Sequence, residues 1–530
     1  MTTLDALPRP RSFGAFLRSI RLIHLAPVLA LVALSAWAFA SPIGAGPDDD
    51  YHLVSVWCAN GGSAECTPGA EWNNRTVTQA LPGVACYAQD ASRSAGCQNE
   101  VWSTLMEQRA LSERGNFVGE YPHVYYSSMR ILAGGDIQTS ALVMRLINAA
   151  LFVGLATALA WLLPAQRRRT LLWGWVVVLV PLGMFLIPSN NPSGWAITGV
   201  GTAFLALLGW FETHGRRRWA LGALYLVGVL MAAGARGDAA VYAAGATVTV
   251  LILTAARQRQ WALHAILPLA GFIIAVLFFS TSGQAGVFAA GFSGGGGATI
   301  PISSDQTGVE APLAGFGLAA YNLLMLPFLW TGVWGSWSLG WLDTQLPAIV
   351  QWAATAAFVV FGFAGIGLLT WRKAIATGGV LFVLIALPVH VLTAGGDKVG
   401  ANLQPRYLLP LIVLLVFLLV FEPAGARLRF TRVQTFVILG AVALANLVSL
   451  QVNIRRYVTG ADQQGLNLDS GAEWWWAGFP VGPTAVWVVG SLAYAGLLAV
   501  LWPQLSRVTP VLPEPLESSL VHGRFNRWAL

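Results

Sequence analysis

Long apolar segments recur along the whole chain, and they constrain its fold more than any other feature. Each holds roughly the 20 residues that an α-helix needs to cross the hydrocarbon core of a bilayer. Of the 530 residues, 56% are hydrophobic and 10% are charged, whereas roughly 25% are charged in an average soluble domain. The pattern predicts an all-α polytopic membrane protein with about twelve spans, within a range of roughly eleven to thirteen. They lie near 20–41, 138–163, 170–187, 194–211, 219–235, 238–256, 261–279, 347–370, 376–394, 407–421, 433–451 and 482–502.

The basic residues predict how the chain is oriented, because cytoplasmic loops keep an excess of Lys and Arg. The arginine-rich connections all fall on one side of the predicted bundle, near residues 167–169, 216–218, 257–259, 372–373 and 427–432. This places both termini, including a tail over 503–530, in the cytoplasm and the protein in the plasma (inner) membrane. The net charge of +7 follows from this topology, so it gives no reason to expect a nucleic-acid partner.

One further apolar segment, 316–335, does not fit this alternation of loops. A full crossing there would place Arg372 and Lys373 outside, so we interpret it as a re-entrant or interfacial helix covered by protein. Residues 1–502 then form a single transmembrane domain in the lipid bilayer. Its external parts are the loops 42–137, 280–346 and 452–481.

The first external loop contains all four cysteines of the chain. An even number of cysteines in an exported loop predicts two disulfides formed in an oxidising compartment. The spacing leaves the pairing open, and a thiolate metal site is the alternative. The same loop contains a stretch from Glu100 to Arg114 that we interpret as a helix along the membrane surface. The cysteines are Cys58, Cys66, Cys86 and Cys97.

The other two external loops each carry one unusual stretch. "GFSGGGGAT" (291–299) lies in the second loop, where dense glycine predicts either simple mobility or a lid over a substrate. "EWWWAGFP" (473–480) lies in the third loop. Its tryptophans are typical of an interfacial aromatic belt, and stacking on a sugar face is the alternative.

Three consecutive carboxylates, Asp48, Asp49 and Asp50, follow the first apolar segment in "GPDDDYHL". Their repulsion and desolvation are costly unless a cation or a ligand uses them. A solvated start of the loop is the ordinary explanation. Ionisable groups near membrane depth are more often functional than those on a protein surface, and this favours a functional site at the three aspartates.

The residue order extends this observation to the whole chain. Pro47-Asp48-Asp49, followed by His52 after two positions, is similar to a P-D-E-x-x-H pattern. With it come "EYPHVYY" (120–126), "NPSGWA" (191–196), "GWLDTQLP" (340–347) and "QPRYLLPL" (404–411). Together they resemble an uncharacterised branch of the GT-C superfamily, the integral-membrane glycosyltransferases that use polyprenyl-phosphate-linked sugars. Asp49 departs from that pattern, which has Glu at this position.

The resemblance implies an enzyme with a GT-C-like fold and an active site on the external face. Asp48 would be the catalytic base that takes a proton from an acceptor hydroxyl, and Asp49 would support it. The acceptor would be a glycan or lipid of the cell envelope, and the sugar would be transferred with inversion. No cofactor is required by this chemistry and no metal ligand is predicted, although a divalent cation could bind the aspartates.

The leaving polyprenyl phosphate would need cations at the membrane surface. The resemblance favours Arg406 for this role, and Lys398 and Arg236 are further candidates. Arg236 could instead pair with Asp238. Arg145, inside the second predicted span, is expected to have a structural role by pairing or snorkelling. Candidate substrate contacts, each with an ordinary structural explanation as well, are His52, Tyr121, Tyr125, Asn191 and Asp343.

Two other classes of function compete with a glycosyltransferase. A transporter or flippase of lipid-linked sugars predicts inverted repeats and broken helices around charges at the midplane, and the sequence shows neither pattern. A non-catalytic scaffold for envelope assembly leaves the clustered carboxylates and the basic residues near them unexplained. We therefore expect a glycosyltransferase and keep the other two classes as alternatives.

Overall fold

The computed structural model describes residues 22–291 and 314–506, and over these the chain is a bundle of α-helices. Eleven helices in this part of the chain are long and apolar enough to cross a membrane, within the predicted range. The helices are α1 (Ala26–Phe39), α2 (Asp49–Cys58), α3 (Cys97–Glu107), α4 (Val124–Met129), α5 (Ile137–Leu162), α6 (Ala165–Val178), α7 (Leu182–Leu186), α8 (Ser193–Glu212), α9 (Gly215–Ala235), α10 (Gly237–Thr254), α11 (Arg259–His264), α12 (Ile266–Thr281), α13 (Gln284–Ala290), α14 (Gly315–Thr331), α15 (Ala348–Ile366), α16 (Trp371–Gly395), α17 (Pro405–Val420), α18 (Arg432–Val458) and α19 (Pro483–Ser506). The glycine-rich residues 293–299 and the tail beyond Ser506 lie outside the described residues.

Most predicted spans correspond to one long helix, and two do not. The segment predicted over 170–187 is split, because α6 ends at Val178 and α7 begins at Leu182. Pro181 stands in this break, and it lacks the N–H that would continue the helical ladder. The segment predicted over 407–421 is α17, which has only 16 residues. Both α17 and α8 are buried along almost their whole length, so they form the centre of the bundle.

The helices α8 and α9 approach each other closely through two glycines. A Cβ atom at Gly199 would lie 2.6 Å from the backbone nitrogen of Ala232, and one at Gly228 would lie 2.6 Å from the backbone nitrogen of Ala203. Small residues of this kind let helices pack backbone to backbone in a bilayer. The contact fixes the position of α9, whose last turn leads directly into Arg236.

The basic clusters that the sequence assigns to the cytoplasm meet at one end of the bundle, which we call the arginine end. There Arg167 pairs with Glu212 at 2.8 Å and donates to the backbone carbonyl of Glu422 at 2.7 Å. Lys373 donates to backbone carbonyls at the ends of α15 and α17. The grouping agrees with the predicted alternation of loops. The orientation of this end towards the cytoplasm, and the plasma-membrane location, stay predictions.

The helix α14 and the short turn after it, Gly315–Trp334, are long and apolar enough to cross a membrane. The contacts of this segment described next nevertheless lie near the end of the bundle that is opposite the arginine end. The side chain of Asn322, in the middle of α14, donates to the carbonyl of Asp397 and accepts from the N–H of Val399. A Cβ atom at Gly332 would collide with the ring of Pro405, at the start of α17. Because 397–405 connects α16 to α17, these contacts favour the interfacial or re-entrant interpretation, which stays a prediction.

The first external loop contains a small antiparallel sheet in the order β1-β2-β3. The strands are β1 (Cys66–Pro68), β2 (Arg75–Thr78) and β3 (Arg109–Ser112). The helix predicted from Glu100 to Arg114 is therefore wrong in its second half. Helix α3 ends at Glu107, and the next residues pair with β2 because that strand offers free backbone groups along its edge. The register aligns Arg75 with Ser112.

The two predicted disulfides are confirmed, and the fold determines their pairing. Cys58 bonds to Cys66 and joins the end of α2 to β1, whereas Cys86 bonds to Cys97 at the start of α3. Each closes a short loop, for which chain entropy predicts a stabilisation of roughly 2 to 3 kcal/mol. The bonds brace the loop that begins with the three aspartates.

Candidate functional site

The acidic segment begins helix α2 with an unusual backbone turn. Asp48 adopts a left-handed conformation, with φ 58° and ψ 24°, which short polar residues such as aspartate tolerate better than most. Its carbonyl accepts the N–H groups of Tyr51 and His52, both at 2.9 Å. The side-chain amide of Asn191 donates to the carbonyl of Pro47 at 2.8 Å. Asn191 therefore stabilises the turn from the interior side of the backbone.

Asp48 pairs with two arginines from distant parts of the chain. Its carboxylate accepts a hydrogen bond from Arg406 on α17 and lies 3.3 Å from Nη2 of Arg114 in the first external loop. The side chain is 35% exposed. Burial by itself would raise the pKa of Asp48, but the surrounding positive charges, with Arg406 the strongest of them, together outweigh it and the pKa falls to about 2. Asp48 is therefore an ionised carboxylate at the edge of solvent.

Arg406 has hydrogen-bond donors that the described chain does not use. It is 4% exposed, and its Nη2 donates to Asp48 and to the hydroxyl of Tyr407. Its Nε and Nη1 have no hydrogen-bond partner among the described residues. A buried donor without a partner costs about 1–3 kcal/mol, and more when it is charged. The unused donors favour an anionic ligand at this guanidinium.

Arg236 forms the internal ion pair that the sequence allowed. Its Nε and Nη2 donate to the carboxylate of Asp238 at 2.8 and 2.7 Å. The same guanidinium lies 4.6 Å from the ring centre of Tyr407, and Arg406 lies 4.8 Å from it. Tyr407 thus makes cation–π contacts with both arginines. Two guanidinium groups therefore contact one ring, and that of Arg406 also pairs with Asp48.

Asp49 lies in the interior, although it is the next residue. Its side chain has no exposed surface, Oδ2 accepts the N–H of Gly46 at 2.9 Å, and Oδ1 has no partner among the described residues. Arg145 of α5 approaches it at 3.9 Å. Burial raises the pKa of Asp49 to about 6, and Arg145 only partly opposes the shift. The structure therefore separates the two proposed catalytic aspartates into different environments.

The aromatic candidates lie behind the Asp48 turn and differ in exposure. His52 is buried, and its Nδ1 lies 2.9 Å from the hydroxyl of Tyr126. Burial lowers the pKa of His52 to about 3, so the imidazole is neutral. Tyr121 packs edge-on against His52, whereas Tyr125 is fully buried against Tyr126 and Trp195. Of the two predicted tyrosines, Tyr121 lines the cavities beside Asp48.

Asp343 and Lys398 are engaged elsewhere. Asp343 pairs with Arg456 at 2.8 Å and accepts the N–H of Gln89 at 3.0 Å, so it ties the "GWLDTQLP" segment to the first external loop and α18. The ammonium of exposed Lys398 lies 5.4 Å from the ring centre of Tyr321. Neither residue contacts the Asp48–Arg406 pair in the described parts of the chain.

Three cavities that share lining residues extend from Asp48 into the bundle. An open cavity of about 450 Å³ is lined by Asp48, Tyr51, Glu113, Arg114, Glu120 and Tyr121. Tyr121 also lines a narrower cavity that contains Arg236 and Tyr407. That cavity shares Tyr242 with an apolar groove of about 460 Å³ between α10, α12, α16 and α17. We call these three cavities, in the order given, the polar mouth, the cationic centre and the apolar extension.

A family model described as "Predicted membrane protein (DUF2142)" matches residues 31–415 of the chain. This range is more than half of the chain and includes both Asp48 and Arg406. The chain belongs to this family. No curated protein and no solved structure matches this chain.

Membership of the DUF2142 family is consistent with the multi-pass fold in a lipid bilayer and does not define an activity. The resemblance to GT-C glycosyltransferases therefore stays a hypothesis that rests on the residues of the site. The described residues contain no group of three or more His, Cys, Asp or Glu side chains that could hold a metal ion. Whether a divalent cation takes part stays untested.

Sequence reasoning missed four residues of this candidate site. Arg114 donates to both Asp48 and Asp50, and the hydroxyl of Tyr51 donates to Glu120 at 2.9 Å. Tyr407 could have been found, because it follows Arg406 directly in "QPRY". Arg114 and Glu120 carry no comparable signal, since strand β3 and the loop after it bring them to the site.

The buried carboxyl of Asp49 predicts a pH dependence of stability. Its pKa in the folded protein is about 6 against an ordinary value of 3.8, so the stability it contributes is complete below about pH 4 and is lost as the pH rises through 6. We expect the free energy of unfolding to fall by about 2 to 3 kcal/mol between pH 4 and 7 relative to Asp49→Asn. Chemical unfolding in detergent at several pH values measures this. Asp50→Asn, which keeps Asp49, should retain the fall, and a parallel pH profile in Asp49→Asn would contradict the assignment.

Proposed function

We propose that the protein transfers a sugar from a polyprenyl-phosphate donor to a glycan or lipid acceptor of the cell envelope. One observation carries the proposal. The half-exposed carboxylate of Asp48 stands between an open polar cavity and a buried guanidinium, Arg406, that has two unused donors. A transferase of this kind needs these two groups side by side, one to accept a proton and one to hold a phosphate.

The donor fits the cationic centre and the apolar extension together. Its phosphate would accept charge-assisted hydrogen bonds from the unused donors of Arg406, and Nη1 can form a parallel pair with Nη2, which shares its edge of the guanidinium. Arg236 adds positive charge across the ring of Tyr407. The prenyl chain would continue past Tyr242 into the apolar groove between α10 and α16. This placement leaves the sugar facing Asp48.

The reaction then follows from the positions of these groups. An acceptor hydroxyl in the open cavity attacks the anomeric carbon of the sugar, and a new carbon–oxygen bond forms. The bond between that carbon and the phosphate oxygen breaks, and its electron pair leaves with the polyprenyl phosphate. Asp48 takes the hydroxyl proton. Displacement from the opposite face inverts the anomeric configuration.

Competition for Arg406 explains how Asp48 can act as a base despite its low pKa. While Arg406 bonds to Asp48, it stabilises the ionised carboxylate and weakens it as a proton acceptor. A phosphate that draws Arg406 towards itself reduces this stabilisation, so the pKa of Asp48 rises once donor is bound. Basicity would thus appear only when the substrate is present.

The activity can be tested directly with purified protein and a panel of polyprenyl-phosphate sugars. Release of free polyprenyl phosphate in the presence of envelope glycans or lipids is the expected result. A flippase would instead move the intact donor across a vesicle membrane without releasing polyprenyl phosphate. A scaffold would do neither, so the three classes are separated by two measurements.

Arg406 offers a sharper test of donor recognition. Arg406→Lys keeps the charge and loses the paired N–H groups, and a hydrogen bond to a charged group contributes about 1.5–3 kcal/mol. We expect donor affinity to fall roughly ten- to hundredfold in Arg406→Lys, and further in Arg406→Ala. Arg109→Lys, on the exposed strand β3, is the matched control. Unchanged donor affinity in both Arg406 variants would remove this residue from the site.

A further inference from the structure

A second apolar groove, of about 680 Å³, lies on another face of the bundle between α1, α5, α6 and α19. It shares no lining residue with the cavities around Asp48 or with the groove beside them. Its walls are almost entirely apolar side chains, including Phe152, Leu172 and Leu498. The proposed sugar transfer does not use it.

The length of this groove corresponds to half of a bilayer. Along α5 its lining runs from Phe152 to Trp161, and along α19 from Tyr494 to Gln504. At 1.5 Å per residue these stretches are about 14 to 15 Å long. The hydrocarbon core of a bilayer is roughly 30 Å thick. The groove therefore covers the depth of one leaflet, which is the depth of a phospholipid acyl chain.

The groove ends at positive charge. Arg168 lines it at the arginine end and makes a single, long hydrogen bond of 3.4 Å to the carbonyl of Leu163 within the described chain. Its buried Nε has no partner there. Arg217 donates to the same carbonyl at 2.6 Å, so a second guanidinium lies beside the first. Trp161 on the rim is 74% exposed, as is typical of an indole at headgroup level.

We propose that this groove binds an anionic membrane phospholipid, with one acyl chain along α5, α6 and α19 and the phosphate at Arg168. Basic pockets between membrane helices bind anionic headgroups in this manner when they face the cytoplasmic leaflet, where such lipids are concentrated. The site is independent of the donor site, because the two grooves share no lining residue. It would link the lipid composition of one leaflet to the packing of α1 and α19.

Native mass spectrometry of the full-length purified protein, titrated with phosphatidylglycerol or phosphatidylcholine, tests this site. Loss of one charged hydrogen-bonding group predicts that Arg168→Gln binds phosphatidylglycerol about tenfold more weakly, with a smaller effect on phosphatidylcholine, whose choline group offsets the phosphate charge. Ala156→Phe fills the groove and should weaken both lipids. Arg216→Gln, an exposed arginine on α9 that does not line the groove, should change neither. Equal affinity of the unaltered protein for the two lipids would overturn the proposal.

A photo-crosslinking residue in place of Leu172, which already has a large side chain in the groove, identifies the occupant and stays informative where Arg168→Gln does not fold. The expected product is a phospholipid adduct, formed more with phosphatidylglycerol than with phosphatidylcholine. An adduct to residues 1–21 or 507–530, or to a second copy of the chain, would show that protein fills the groove and would overturn the proposal. Polyprenyl-phosphate release is measured in the same preparations, so failure of the lipid site is distinguishable from failure of the proposed activity.

Discussion

Replacing Asp48 with Asn is expected to slow turnover by roughly 100- to 10,000-fold, the effect of losing a positioned general base. Asparagine keeps the size of the side chain and cannot accept the proton. Donor affinity should be retained or increased, because Arg406 no longer divides its hydrogen bonds between Asp48 and the phosphate. Turnover and donor binding are measured on the same purified variant. A fall in turnover without a fall in donor affinity separates a catalytic role from a merely structural one.

Asp50→Asn is the matched control for this experiment. Asp50 shares Arg114 with Asp48, and it makes no contact with Arg406 in the described chain. Its replacement should change turnover far less. Near-normal turnover in Asp48→Asn would show that the base is another group. Near-normal turnover in all three variants, Asp48→Asn, Asp49→Asn and Asp50→Asn, would remove the main support for sugar transfer.

Arg145→Met is expected to cause the largest loss of stability among the site variants. Arg145 is 2% exposed and donates to the backbone carbonyls of Ser41 and Pro42 at 2.6 and 2.7 Å, with Asp49 nearby. Methionine fills similar space, but it removes both hydrogen bonds and leaves the buried carboxylate of Asp49 without its neighbouring cation. Removing one partner of a buried ion pair costs about 3–5 kcal/mol. Unfolding in detergent, compared with Arg109→Met on exposed strand β3, measures the loss.

A double variant identifies the source of that loss. If an uncompensated carboxylate is the main cost, Asp49→Asn should recover part of the stability lost in Arg145→Met, by about 1 to 3 kcal/mol of coupling. Strict additivity of the two substitutions would show that Arg145 stabilises only the end of α1. A loss below about 1 kcal/mol in Arg145→Met alone would place it among ordinary surface substitutions.

Several features of this protein depend on local sequence, and these were predictable. The number of long apolar helices follows from segment length and hydropathy, because a helix must satisfy its own backbone groups inside a bilayer. The grouping of Arg167 and Lys373 at one end follows from the alternation of basic loops. The presence of two disulfides follows from an even number of cysteines in one loop, although their pairing does not.

The sequence also singled out two distant segments, "GPDDDYHL" and "QPRYLLPL", that meet in the fold. It could not show what each side chain does there. Asp48 and Asp49 are chemically identical neighbours, yet one faces solvent beside Arg406 and the other is buried beside Arg145. Likewise, the helix predicted through Arg114 became strand β3, because the edge of β2 offered it backbone partners.

The physical reason is the difference between local and long-range determinants. Helix length, hydropathy and loop charge belong to residues within one or two turns of each other, so the sequence alone determines the spans and their common end. The pair between Asp48 and Arg406 joins residues 358 positions apart, and burial sets the pKa of each aspartate. Only the packing of α5 and α17 against the first external loop decides which carboxylate stays ionised at the cavity and which lies buried in the core.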